Sequence, residues 1–274
     1  MIQKTIKGVA VPALGLGTFG LTGPEGADAI RAAIDIGYRH IDTAIRYGNE
    51  AEVGEAIRRS GVPRDEFFVT TKIWPTDLSP DMVRRRFAES LERLEMDRVD
   101  LLLVHWPRRD MPLGETLAAF AEQRASGRAR NIGVSNFNTA LLDEAIRVHG
   151  ADLLANQVEY HPFLSQRRLL EAARAAGMLL TAYLPLARGA VFEAPVLREI
   201  GQRHGKSAGQ VALRWLVQQD DVAAIPRSSR VDNMRANFDI FDFALEPGEM
   251  DRIAALAEGR RMVEMEFSPA WDPE

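Results

Sequence analysis

Short apolar runs recur along the chain, separated by longer stretches whose apolar positions fall on one helical face. The short runs end near Leu16, Asp42, Thr71, His105, Val134, Glu159, Tyr183 and Pro226, at intervals of about 24 to 43 residues. That rhythm predicts repeated strand–helix units. Several runs are apolar on both faces, as in Phe67-Phe68-Val69 and Leu101-Leu102-Leu103-Val104. Strands of that kind belong in a parallel sheet covered by helices. Eight of them on one chain fit a closed (β/α)8 TIM barrel better than an open doubly wound sheet.

The helical stretches carry their own punctuation. Ser79-Pro80-Asp81 predicts a helix start, with Ser79 as N-cap and Pro80 in the first turn. Val83, Phe87, Ser90, Leu91 and Leu94 then share one face. Further helices are predicted over 138–149, stopped by Gly150, over 195–204 and 207–218, split by Gly205, over 247–257, and from Val231 to Phe238. Residues 259–274 show no helical period and form a short C-terminal tail that holds Trp271. Residues 2–6 and 9–11 around Lys7-Gly8 predict a β-hairpin that would plug the bottom of the barrel. No internal boundary is visible, so residues 1–274 read as one barrel domain.

Composition narrows the function. The length of 274 residues suits one such barrel, which typically takes about 250. There is no cysteine, which excludes a disulfide frame, a thiolate metal site and a cysteine nucleophile. A net charge of −5 gives no nucleic-acid footprint. The N-terminal apolar run is too short for a signal peptide, and Leu101 to Val104 is too short to cross a bilayer. The expectation is a soluble cytoplasmic protein, a monomer, with neither membrane nor nucleic acid as partner.

In such a barrel the chemistry sits at the C-terminal ends of the strands. The polar residues after the eight runs are Gly17-Thr18, Asp42 with Tyr47, Lys72, His105, Ser135-Asn136, Gln157, Tyr183 and Arg227-Ser228. They contain no metal-ligand cluster. A free phenol has a pKa of ~10, too high for easy proton donation at neutral pH. A lysine ammonium beside Tyr47 would lower it. Lys72 is placed to do so, Asp42 to keep the lysine charged, and His105 to orient a carbonyl oxygen. Each residue also has a bland reading: a packed aromatic, a rim charge, a core histidine, a structural ion pair. Four such groups on consecutive strand ends are harder to dismiss. Gly15-Leu16-Gly17-Thr18-Phe19-Gly20 has the glycines of a dinucleotide fingerprint but no helix start in the right place. Any dinucleotide is therefore held in another manner.

At these residues the chain resembles the aldo-keto reductases. The resemblance rests on Gly15-Leu16-Gly17-Thr18, Asp42-Thr43-Ala44 with Tyr47 and Asn49-Glu50, Thr71-Lys72, His105-Trp106-Pro107, Gly133-Val134-Ser135-Asn136-Phe137 and Gln157-Val158-Glu159-Tyr160-His161-Pro162, all in family order. The tail, with Ser268-Pro269-Ala270-Trp271-Asp272, is most similar to the bacterial diketo-sugar-acid reductases of that family. The resemblance implies NADPH-dependent reduction of small aldehydes and ketones, with Asp42, Tyr47, Lys72 and His105 as the catalytic set. It implies that Ser135, Asn136 and Gln157 hold the nicotinamide carboxamide. Tyr183 would stack on the nicotinamide ring, with Gly17, Thr18, Asp42, Leu184 and Leu186 alongside. Pro226, Arg227, Ser228, Ser229, Arg230, Asn233 and Asn237 would grip the adenosine end. Here the chain departs from many relatives: Arg227 replaces a common lysine, and Asn233 stands where an arginine is usual, a loss Arg230 can offset.

The implied reaction passes a hydride to the carbonyl carbon while Tyr47 gives a proton to the oxygen. Trp74, Trp106 and Trp271 would wall the substrate pocket. Candidate substrates are α-dicarbonyls, diketo-sugar acids and methylglyoxal. Two rivals remain at this point. One is a catalytically silent dinucleotide-binding barrel acting as a binding or sensor protein. The other is an isomerase or aldolase using Lys72 as a Schiff base.

Overall fold

The computed structural model describes residues 2–108, 110 and 112–273. Strands β1 (Gln3–Ile6) and β2 (Val9–Pro12) form an antiparallel hairpin. Lys7 and Gly8, at φ 50° and 79°, make its two-residue turn. Left-handed values at both central positions match the right-handed twist of paired strands.

Eight parallel strands follow, each beside its predecessor in sequence order. They are β3 (Leu16–Gly17), β4 (His40–Asp42), β5 (Phe68–Ile73), β6 (Val99–Val104), β7 (Ala129–Ser135), β8 (Ala155–Glu159), β9 (Leu179–Tyr183) and β10 (Val222–Ala224). The two edges of the sheet meet. Leu14 bridges Ala224 in parallel, Gly15 N donates to Ala224 O at 2.9 Å, and Gly17 N donates to Pro226 O at 3.1 Å. The arrangement is an α/β fold of the (β/α)8 kind, with the expected hairpin ahead of it.

Alternation along each strand sorts the core into two layers. Val69, Ile73, Leu102, Val104 and Leu180 pack outward with helix residues such as Ile30, Phe87, Phe120 and Leu216. Phe68, Leu101, Leu103, Leu179 and Ala223 instead meet Ile6 and Val11 of the hairpin in a separate cluster. The hairpin thus stops the N-terminal end of the sheet, as its position in the chain predicts. Each fully buried aliphatic or aromatic side chain contributes roughly 1.5–3 kcal/mol.

The helices that cover the sheet are α1 (Gly23–Ile36), α2 (Glu50–Ser60), α3 (Pro80–Leu94), α4 (Leu113–Ala125), α5 (Thr139–Asp143), α6 (Arg167–Ala175), α7 (Pro195–His204), α8 (Ala208–Gln218), α9 (Val231–Phe238) and α10 (Pro247–Ala254). Three details differ from expectation. Ser79 occupies the N-cap position of α3, but its hydroxyl makes no cap bond; Pro80 and the Val83 N to Ser79 O bond at 2.8 Å define the start. The helix predicted over 138–149 is α-helical only to Asp143 and widens into a π turn over Glu144–Val148. That turn sets His149 against Gly114, where a Cβ would fall 2.6 Å from the imidazole. Finally, α10 ends at Ala254, short of the predicted 257. Among the described residues, no helix is long and apolar enough to cross a membrane.

Candidate active site

The polar groups of the interior collect at the C-terminal ends of the strands. On β5 the inward face reads Phe68, Thr70, Lys72, so the lysine arrives at the mouth with apolar packing beneath it. Its Nζ donates to Asp42 Oδ1 at 2.6 Å and to Thr43 O at 2.8 Å, and lies 3.5 Å from Tyr47 Oη. Both members of this ion pair are buried. The second oxygen of Asp42 accepts from Gln157 Nε2 at 2.7 Å. Tyr47 closes a single 3-10 turn, Ile45–Tyr47, after β4, and its ring stands edge-on to His105 at 5.6 Å. The four residues singled out as one chemical set are therefore brought together.

Their electrostatics differ from expectation in one respect. Lys72 was expected to pull the Tyr47 phenol down. Burial instead raises the phenol above its ordinary pKa, and the Asp42 carboxylate adds to the rise. The same carboxylate offsets the field of the ammonium 2.6 Å away, so the tyrosine keeps its proton. Burial also lowers Lys72, against the opposing pull of Asp42. Burial, then the charges of Lys72 and Arg46, hold His105 well below its ordinary value, so the imidazole is neutral. Its Nδ1 is buried without a hydrogen-bond partner among the described residues. The site thus combines a proton-bearing phenol, a neutral imidazole and a lysine tied to a carboxylate.

Ser135, Asn136, Gln157 and Tyr183 form one network beside this group. Ser135 Oγ donates to Gln157 O at 2.8 Å. Asn136, at φ 63°, donates through Nδ2 to His105 O and Ser135 Oγ, both at 3.0 Å. Tyr183 Oη donates to Asn136 Oδ1 at 2.8 Å. The loop after β9 carries Leu184, Ala187 and Arg188 at φ 50°, 47° and 51°. Non-glycine residues held in that region cluster at functional loops. Leu186 of this loop packs against the core.

Across the mouth, Thr18 Oγ1 donates to Asp42 O at 2.9 Å. A Cβ on Gly17 would lie 2.9 Å from Ile225 O, so the strand approach there requires glycine. The segment after β10 separates its two arginines. Arg227 donates to Phe19 O at 3.0 Å and Gly20 O at 3.3 Å. Arg230 caps α9 with its backbone, and among the described residues its guanidinium has no partner. Ser228 Oγ accepts from Arg230 N at 3.0 Å. Ser228 and Asn237 are buried, whereas Ser229 and Asn233 are exposed.

An aromatic wall faces Tyr47 and His105. Trp74 stands edge-on to His105 at 5.0 Å, and Phe267 meets both Trp74 (5.8 Å) and Trp106 (5.9 Å). Trp271 lies 6.1 Å from Trp106, but its ring is stacked by Arg261 at 3.7 Å and its Nε1 donates to Glu264. Phe267, not Trp271, is therefore the tail ring that meets both tryptophans. Phe19, 66% exposed, stands edge-on to Tyr47 at 5.1 Å. Phe19, Phe267 and Arg46 were not foreseen as site residues. Phe19 was read only as part of a failed glycine motif, and Phe267 lies in an aperiodic segment.

The tail is tied down at both ends. Glu159, buried at the end of β8, accepts from Met262 N at 2.7 Å, Val263 N at 2.8 Å and the His161 imidazole at 3.0 Å. Asp272 accepts from Thr139 N at 3.0 Å and Thr139 Oγ1 at 2.6 Å. Asn49 performs a similar service for the Tyr47 turn: its Nδ2 donates to Thr18 O and Leu21 O, and its Oδ1 accepts from Thr43.

Known proteins are similar to this chain in sequence and fold. A sequence model of the aldo/keto reductase family matches residues 13–258. The chain is 44% identical over 270 residues to morphine 6-dehydrogenase of Pseudomonas putida, covering 93% of this chain and 90% of that one. It is 40% identical over 268 residues to methylglyoxal reductase DkgB of Salmonella typhi, covering 96% and 100%. A crystal structure provisionally assigned as a 2,5-diketo-D-gluconic acid reductase B superposes with a TM-score of 0.96 at 47% identity, covering 99% of this chain and 97% of that one.

Proposed function

Because this chain belongs to the aldo/keto reductase family and is an oxidoreductase that reduces carbonyls, we propose that it uses NADPH to reduce small aldehydes and ketones, with Tyr47 as the proton donor. The observation that carries this reading is the convergence of Tyr47 and His105 at the mouth. A protonated phenol and a neutral imidazole stand side by side there, backed by the buried Lys72–Asp42 pair.

The donor set suits a nicotinamide dinucleotide. Ser135, Asn136 and Gln157 offer amide and hydroxyl groups for a carboxamide, and half-buried Tyr183 offers a flat ring face. Gly17, Thr18, Leu184, Leu186 and Pro226 would line the cofactor beside them. Arg230, uncommitted at the start of α9, and Arg227 offer guanidinium forks to a phosphate. Ser228, Ser229, Asn233 and Asn237 lie in the same segment. That pair of arginines is the reason for proposing NADPH over NADH. When bound, the reduced dinucleotide supplies a hydride to the carbonyl carbon.

This chain's residues do the rest. Tyr47 Oη and a neutral His105 hydrogen-bond the carbonyl oxygen and polarise it. As negative charge builds on that oxygen, the phenol proton moves to it, and the Lys72 ammonium stabilises the phenolate left behind. Asp42 and Thr43 O fix the lysine for that role. This engagement disfavours Lys72 as a Schiff-base nucleophile. Trp74, Trp106 and Phe267 exclude water on the substrate side, with Trp271 packed against Trp106. Following NADPH absorbance over a panel of methylglyoxal, diketo-sugar acids and aromatic aldehydes tests the reading. Turnover of several of them is expected, and turnover of none overturns it.

A further inference from the structure

Arg46 immediately precedes the proposed proton donor in the turn Ile45–Tyr47, and its side chain is exposed at the mouth. Its guanidinium lies 5.5 Å from the centre of the Trp74 ring, the same ring that stands 5.0 Å from His105. Among the described residues, it pairs with no carboxylate and donates to no carbonyl. Three other loop arginines are engaged. Arg108 grips Asp110 with two bonds, Arg227 holds Phe19 O and Gly20 O, and Arg188 holds Met262 O. Asp77 pairs with Arg86, Asp110 with Arg108, Asp42 with Lys72 and Gln157, and Glu264 accepts from Trp271, while Glu266 of the tail is exposed.

We propose that Arg46 is a specificity-determining residue that binds a carboxylate on the substrate, so that this site prefers carbonyl compounds that are also carboxylic acids. This rests on the reading that Tyr47 and His105 receive the carbonyl oxygen. The Trp74 ring lies within cation–π range of the guanidinium, whose N–H groups donate to no other described residue. A planar fork of that kind matches a carboxylate with two parallel hydrogen bonds. The charge of Arg46 already reaches the reaction centre, since it helps depress the His105 pKa. Among the described residues no carboxylate forms an ion pair with Arg46, so its charge is open to an incoming anion. A neutral carbonyl leaves Arg46 in water and takes nothing from it. The chemistry of the bound group is reduction in the ordinary sense: the carbonyl carbon gains a hydride, the oxygen gains the Tyr47 proton, and the carboxylate is unchanged.

The test uses substrates that differ only in the acid. 4-Formylbenzoate is compared with its methyl ester, and succinic semialdehyde with its methyl ester, under NADPH in steady state. Wild type, Arg46→Ala and Arg46→Lys are assayed. In wild type the acid-to-ester ratio of kcat/KM should be about tenfold, the factor given by ~1.4 kcal/mol. In Arg46→Ala the ratio should fall toward one, chiefly through KM of the acid, with Arg46→Lys between the two. Added salt should shrink the wild-type ratio as the charges are screened. A ratio near one in wild type, or one that Arg46→Ala leaves intact, overturns the proposal while ester turnover still supports carbonyl reduction. No turnover of either ester or acid overturns the reading on which the proposal stands.

Discussion

Phe68 and Lys72 share one strand and one interior face, yet they belong to different environments. Phe68 shares an apolar cluster with Leu101, Leu103, Leu179 and the hairpin residues Ile6 and Val11, and its ring stands edge-on to His40. Lys72 meets Asp42, Thr43 and Tyr47 and is as fully buried. The interior of the lower end is an apolar cluster, with polar contacts such as Asp100 with Arg64 and Arg130 around it. The upper end gathers polar groups that satisfy one another except at a few atoms, such as His105 Nδ1 and the guanidinium of Arg230. The contrast teaches that this fold assigns stability to one end of its strands and chemistry to the other. Substitutions at the two ends should therefore fail in different assays.

The largest effect is expected from Tyr47→Phe. Removing the phenolic proton should slow the chemical step roughly 10²–10⁴-fold, with the unfolding midpoint near that of wild type. Single-turnover rates measure it, and a variant keeping more than half the wild-type rate would remove Tyr47 from its role. Lys72→Met should break the division between the ends. It leaves the buried Asp42 carboxylate without its cation, which costs about 3–5 kcal/mol of stability along with activity. Denaturant titration reads this, and a loss under ~1 kcal/mol would show that Asp42 is neutral or hydrated. Leu101→Ala, at the lower end, should cost about 2–5 kcal/mol while leaving the ranking of carbonyl substrates as it was. A changed ranking would show that the ends are coupled.

Smaller effects sharpen the upper end. Arg230→Ala should weaken NADPH about tenfold, or ~1.4 kcal/mol, and weaken NADH little. Arg227→Ala should weaken both cofactors, because it also frees the Phe19–Gly20 segment. Fluorescence titration of both dinucleotides separates the two, and equal selectivity losses would merge their roles. The least change is expected from pH. Tyr47, raised by burial, keeps its proton above the ordinary phenol range, and His105, lowered by burial, stays neutral well below its ordinary value. The reduction rate should therefore stay flat while Lys72, whose pKa burial lowers, keeps its proton, and fall above that point. A step centred near pH 6.5 would show that His105 titrates with an ordinary pKa.

Much of this was legible in the chain because strands apolar on both faces announce themselves. The runs around Phe68 and Leu102 located β5 and β6, and the polar residues that ended them, Lys72 and His105, fell at the mouth. The hairpin was legible from Lys7-Gly8 and its flanking apolar residues. Three features were not. Residue order placed Lys72 beside Tyr47, but the direction of the phenol shift depends on burial and on where Asp42 stands, and neither is a sequence property. The π turn at Glu144–Val148 keeps a helical apolar pattern, so periodicity cannot show it. Phe267 lies in a segment with no period, and its place between Trp74 and Trp106 is set by bonds to Glu159 and Thr139, far away in the chain.

The Glu159 clamp has a consequence for how such a pocket diversifies. It grips Met262 and Val263 by their main-chain N–H groups, and every residue except proline offers that group. The anchor is therefore blind to the side chains it holds. Residues downstream, Phe267 among them, can be exchanged as a cassette without loosening the mooring. A library that randomises 264–269 and keeps Glu159, Thr139 and Asp272 would recast the substrate wall on an unaltered scaffold.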